Sequence, residues 1–122
     1  MWKAALIVGA GSFIGGAARF LVYRAMENVT FVSLPWDTML VNIIGCLLVG
    51  IIIGIFDKGH MSLDMKRFLA LGICGGFTTF STFIHENLMF LSGKRFIQCV
   101  LYASLSFALG MIAAYLGHLI VR

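Results

Sequence analysis

Nine consecutive residues, Gly75-Gly76-Phe77-Thr78-Thr79-Phe80-Ser81-Thr82-Phe83, concentrate the chemistry of this chain. Hydroxyls, paired glycines and three rings spaced by three fall inside a segment that carries no charge from Phe68 to His85. So apolar a segment reads as membrane-spanning. Hydrocarbon penalises an interrupted helix there, because each unpaired backbone group costs roughly several kcal/mol. Interrupted backbone is tolerated where protein buries it or where it lines a polar cavity, the usual setting of ion and substrate sites. The segment points to ion handling.

The side chains fit an anion. Phe80 and Phe83 stand three apart, so they fall on nearly one helix face. An aromatic ring has a positive edge that attracts an anion without a full charge, and hydroxyl and amide donors beside it replace hydration. Carbonyls freed by a break at Gly75-Gly76 require a partner, and a bound cation would serve. A tight helix crossing is the plainer account of the small residues, although it leaves the three rings unexplained.

Polar residues elsewhere in apolar segments carry the rest, since they are costly there. Asn42 has a donor and an acceptor to satisfy, by interhelical bonding or by facing a pathway. Arg19 either snorkels to the interface or forms the positive wall of an anion-attracting vestibule. Tyr102, Ser104 and Ser106 place hydroxyls on neighbouring turns; serines of this kind commonly bond back to their own helix. His85 and Glu86 fall toward the end of their segment, where water reaches them.

Four segments must position these groups: Ala4–Tyr23, Met39–Phe56, Phe68–Leu91 and Phe96–Val121. Each is long enough to cross a core of about 30 Å at roughly 1.5 Å per residue. With 61% hydrophobic and 11% charged residues in 122, little remains for anything outside a membrane. The expectation is one integral membrane domain over residues 1–122, without a cleaved signal peptide. The net charge of +4 comes from bases scattered at segment ends, which suits membrane anchoring better than nucleic acid. Cys46, Cys74 and Cys99 make no metal-ligand pattern with the histidines and read as packing residues. Gly11 with Gly15, and Gly50 with Gly54, form small-xxx-small pairs that suit helix packing within the chain or between chains.

At these residues the chain resembles the Fluc fluoride channels, also called CrcB. The resemblance covers nearly the whole length: Gly15-Gly16-Ala17-Ala18-Arg19, Trp36 with Thr38, Val41-Asn42, the nine-residue segment followed by Glu86, and Tyr102 with Ser106. It implies an all-α integral membrane protein of four transmembrane helices, the third broken at mid-membrane, assembled as an antiparallel dual-topology homodimer. Two fluoride pathways would run at the dimer interface. A central sodium ion, structural rather than transported, would be held by backbone carbonyls of Gly75 and Thr78 from both subunits. Asn42, Phe80, Phe83, Ser81, Thr82, Tyr102 and Ser106 would line the fluoride pathway, with Arg19 at the vestibule. The implied activity is passive fluoride export through a multi-pass protein of the bacterial inner membrane, conferring fluoride resistance without enzyme chemistry.

Charge distribution bears on topology independently. If segments alternate, Lys3, Lys58, Lys66, Arg67 and Arg122 lie on one side, with Arg24, Lys94, Arg95 and a snorkelling Arg19 on the other. So even a split gives the positive-inside rule almost nothing to act on, as insertion in both orientations requires. Two competitors remain. A small dual-topology multidrug exporter needs an acidic residue in its first span, and Ala4–Tyr23 has none. A non-transporting membrane assembly subunit would pass no ion alone in liposomes.

Overall fold

The computed structural model describes every residue from Met1 to Arg122. Helix α1 (Trp2–Ala25) leads through a 3-10 turn (Phe31–Ser33) to α2 (Trp36–Asp57). Then α3 (Leu63–Lys66), a π-helical stretch (Arg67–Cys74) and α4 (Gly75–Phe77) follow one another directly. After Thr78 and Thr79 come α5 (Phe80–Ser92) and α6 (Phe96–Ile120). Four helical segments are long and apolar enough to cross a membrane: Trp2–Ala25, Trp36–Asp57, Leu63–Ser92 and Phe96–Ile120. The chain is an all-helical, multi-pass membrane protein.

Helix ends extend past the apolar segments for local reasons. Pro35 fixes the start of α2, and Asp37 in its first turn suits the positive end of the helix dipole. Ser62 caps α3 by accepting from the Met65 N–H at 3.1 Å, which starts the third segment before Phe68. The α5–α6 connection is tight and turns through Lys94, at φ 58.

Two seams of small residues hold the bundle. Helix α1 packs along the π-helical stretch and α4, and α2 packs along α6. A Cβ on Gly11 would stand 2.5 Å from the Phe68 carbonyl oxygen, and one on Gly15 would collide with that of Ile73. From the opposite side, a Cβ on Gly72 would meet the Gly11 Cα at 2.8 Å. In the second seam Gly50 faces the Ala114 carbonyl and Gly117 faces that of Leu47. Both glycine pairs noted in the sequence therefore pack within the chain, where close backbone approach maximises dispersion contact that lipid would otherwise supply.

Only 18 of 122 residues are buried, because an apolar exterior needs no shielding from lipid. The buried cluster is Leu34, Met39, Phe90 and Tyr102, with Phe83 packed against it. It lies where α1 and α5 finish and α2 and α6 begin.

Candidate functional site

The backbone between α4 and α5 leaves the helical region at the hydroxyl residues and not at the glycines. Gly75 is helical, at φ −62 and ψ −38. Thr78 (φ −87, ψ 162) and Thr79 (φ −151, ψ 122) are extended. The expectation that Gly75-Gly76 makes the break is corrected here. Gly76 serves close approach instead, since a Cβ on it would stand 2.6 Å from the Ser12 carbonyl oxygen.

Side chains satisfy the exposed backbone. Asn42 Oδ1 accepts from the Thr79 N–H at 2.8 Å, and its Nδ2 donates to the Thr79 carbonyl at 3.0 Å. Thr79 caps α5 by accepting from the Thr82 N–H at 3.2 Å, and its hydroxyl donates to the Thr82 hydroxyl at 3.1 Å. The Thr78 hydroxyl folds back to the Cys74 carbonyl at 2.9 Å. Its methyl occupies the space beside Gly45, where any Cβ would collide with it. Arg19 Nε donates to the Gly76 carbonyl at 3.0 Å.

Two of these bonds matter through what they divert. In a continuous helix the Thr79 N–H would donate to Gly75 and the Thr82 N–H to Thr78. Both donors go elsewhere, so the carbonyls of Gly75 and Thr78 lose their helical partners.

A cavity of about 380 Å³ lies beside this segment. Asn42, Thr78, Thr79, Phe80, Phe83 and Ser106 line it, with Cys46 and Phe107 among its apolar walls. The Phe80 and Phe83 rings stand 6.1 Å apart, tilted by 37°. Ser106 Oγ is buried and bonded to nothing in the chain, which leaves a free hydroxyl donor at the cavity wall.

Beyond Phe83 lies a hydrogen-bonded chain that joins four helices. Tyr102 is fully buried, its ring 5.1 Å from that of Phe83 and tilted by 49°, and edge-on to Phe90 at 6.0 Å. Its hydroxyl donates to Glu86 Oε1 at 2.7 Å. The buried Thr38 donates to Glu86 Oε2 at 2.8 Å, and the Tyr23 hydroxyl bonds Thr38 Oγ1 at 3.2 Å. Each oxygen of the Glu86 carboxyl group thus has a hydroxyl partner.

With this geometry in place, comparison with known proteins is decisive for the family. Residues 6–118 match the family described as CrcB-like protein, Camphor Resistance (CrcB). The chain belongs to the CrcB family. It is 35% identical over 121 residues to a Flavobacterium psychrophilum protein named fluoride-specific ion channel FluC, covering 98% of each chain. A protein of the same name from Prosthecochloris aestuarii is 37% identical over 122 residues, covering 99% of this chain and 94% of its own. One from Thermus thermophilus is 34% identical over 113 residues, covering 93% and 90%. These relatives are named as channels, a non-enzymatic function, as the resemblance implied.

Within this CrcB-family chain, Asn42, Phe80, Phe83 and Ser106 share one cavity. Tyr102 stands behind Phe83 rather than in the cavity wall. Ser81 is exposed, and the Thr82 hydroxyl is engaged by Thr79. Arg19 is neither free at the interface nor remote, since it binds the backbone of the interrupted segment. Sequence reasoning placed Glu86 merely in water; it is instead the junction of the Thr38–Tyr102 network. A lone acid near the end of a long apolar segment, with tyrosines and a threonine on the other helices, was the available signal. Nothing in the spacing paired them, because the partners come from four separate helices.

Proposed function

We propose that this protein is a fluoride channel that lets the anion leave the cell passively, acting as an antiparallel dual-topology homodimer in a bacterial inner membrane. The observation that carries the reading is the cavity formed by Asn42, Phe80, Phe83 and Ser106 beside the non-helical Thr78-Thr79 backbone. It offers what a small, strongly hydrated anion needs: a free hydroxyl donor, two phenylalanine rings in the lining, and no carboxylate in the wall. The names of the relatives supply the anion's identity.

Two further features support the paired arrangement. Phe80 is 74% exposed and Phe107 73%, so one side of the cavity is open in the single chain. Gly75 has open space beside it within its own chain, which leaves room for a second copy to approach. A second copy related by an in-plane two-fold axis would fill both spaces at mid-membrane, where the interrupted segment falls. The even distribution of basic residues suits insertion in either orientation.

The residues fit a structural sodium ion. Gly75 and Thr78 each have a carbonyl whose helical donor is diverted. No cluster of three or more His, Cys, Asp or Glu side chains is present to hold a multivalent metal. Neutral oxygen ligands suit a monovalent cation, whereas calcium and magnesium usually recruit carboxylates. Such an ion would neutralise the carbonyl ends of two facing half-helices. Arg19, bonded to Gly76, adds positive potential near the same place and would favour an anion in the adjoining vestibule.

Efflux from liposomes holding only this purified protein tests the function. Fluoride should leave far faster than chloride, with no need for a proton gradient. Equal rates for the two halides, or strict dependence on a proton gradient, would overturn the reading.

A further inference from the structure

A groove of about 690 Å³ opens between the start of α1 and the start of the third segment. Its floor is apolar: Leu6, Ile7 and Ala10 come from α1, Met65 and Phe68 from the facing segment. Its mouth is polar, with Lys3 on one side and Ser62 and Asp64 on the other. From Lys3 to Ala10 the groove follows α1 for about 10 Å, at roughly 1.5 Å per residue. Phe68 opens the uncharged run of the third segment, whereas Asp64 and Lys66 precede it. The exposed Trp2, beside Lys3 in the chain, is a residue type that settles at headgroup level. The groove thus begins among headgroups and ends among acyl chains.

The mouth carries more positive charge than its own acid offsets. Asp64 stands 3.6 Å from Lys3 and 3.4 Å from Arg67, so two cations share one carboxylate. The Lys3 and Asp64 side chains are 83% and 47% exposed, and pairs this open are weak. A second anion can therefore share these cations without breaking a strong contact. Lys66 is engaged elsewhere, 4.3 Å over the Phe56 ring, and the other acid at this end, Asp57, does not line the groove. The Ser62 hydroxyl accepts from the Met65 N–H, which leaves its own proton free to donate at the mouth.

We propose that this groove binds one anionic glycerophospholipid, with an acyl chain along Leu6, Ile7, Met65 and Phe68 and the headgroup phosphate at Lys3 and Arg67. The inference rests on the membrane fold and not on the channel reading. A zwitterionic lipid can fill the same floor, but it brings a cation of its own to a mouth already in excess of positive charge. An anionic lipid supplies the charge that Asp64 leaves unmatched. Basic residues at a membrane surface attract anionic lipid, and one net charge corresponds to about a five-fold preference. The groove lies just beyond the contact of Gly11 with Gly72, so a lipid seated there extends the α1 seam toward the headgroups. It stabilises the helix pair that carries the interrupted backbone, as any ligand of the folded state does.

Native mass spectrometry of the purified protein in detergent, titrated with lipids of identical acyl chains, tests the site. Phosphatidylglycerol should bind about five times more tightly than phosphatidylcholine. Lys3→Gln with Arg67→Gln should abolish the preference, while Lys94→Gln with Arg95→Gln, at the opposite end of the bundle, should leave it. Ala10→Phe fills the floor from an exposed position and should weaken binding of both lipids with every charge in place. Equal binding of the two lipids by the parent, or a preference that survives Lys3→Gln with Arg67→Gln, overturns the inference. So does an equal loss in Lys94→Gln with Arg95→Gln, which would mean general attraction between charges. Unaltered lipid binding by Ala10→Phe overturns it as well, and a fall in dimer yield would then assign the groove to a second copy of the chain.

Discussion

Asn42 and Thr79 exchange two hydrogen bonds, the Thr79 N–H to Oδ1 at 2.8 Å and Nδ2 to the Thr79 carbonyl at 3.0 Å. One side chain on α2 thus does for a residue of the third segment what a neighbouring strand does in a sheet. The extended backbone at Thr79 is affordable in an apolar setting because both of its polar groups are paired. The same exchange withdraws a donor from Gly75, so the brace and the proposed cation ligand are two consequences of one contact.

Asn42→Ala should therefore be costly in two ways. It leaves a donor and an acceptor without partners, at about 1–3 kcal/mol for each group left unsatisfied. Thermal unfolding in detergent should shift down by several degrees and fluoride efflux should collapse. A variant with parental melting and parental flux would show that Thr79 finds other partners.

Glycines in the α1 seam should separate cleanly from glycines beside it. Gly15→Ala places a methyl against the Ile73 carbonyl, backbone that cannot step aside, and overpacking of this kind costs about 1–3 kcal/mol. Gly16→Ala meets nothing within 4 Å and should be neutral. Size-exclusion profiles and melting curves of the two variants decide the matter; equal behaviour would refute the seam.

Tyr102→Phe keeps the ring against Phe83 but removes a donor from Glu86. A hydrogen bond contributes about 0.5–1.5 kcal/mol net, so the loss should be visible as reduced melting temperature. Thr38→Val should act in the same direction, and the double variant should fall short of the sum because the two donors share one carboxylate. Strict additivity in that double-mutant cycle would deny the network.

Phe80→Ile and Phe83→Ile should both lower fluoride flux, since isoleucine lacks the positive ring edge. Their stabilities should differ. Phe80 is 74% exposed in the single chain, whereas the Phe83 ring lies 5.1 Å from that of Tyr102 and loses about 0.5–1.5 kcal/mol with that contact. Parental flux in both assembled variants would reduce the rings to packing residues.

Replacing every small alkali cation by a bulky organic cation should destabilise the dimer and suppress fluoride efflux, and adding sodium back should restore both. Crosslinking yield and efflux report the two effects. Full activity without alkali cations would remove the sodium ion from the proposal.

Much of this protein was legible before any coordinate. Long uncharged segments declare membrane helices because lipid admits little else, and one interrupted, hydroxyl-rich stretch declares where the interruption falls to within a few residues. Asn42, Phe80, Phe83 and Ser106 stood out as candidates, being polar or aromatic where the local pattern asks for neither or places rings in register, and they line one cavity. What stayed hidden depends on neighbours from other helices. The break sits at Thr78-Thr79 because Asn42 can satisfy that backbone, while Gly76 stays helical to admit Ser12 of α1. Arg19 spends its Nε on Gly76, and Glu86 gathers hydroxyls from α2 and α6, both across distances in sequence that no period encodes. Local propensity and hydropathy decide where a helix can be; which polar atoms meet inside the bundle is decided by packing, since each must find a partner that lipid cannot provide.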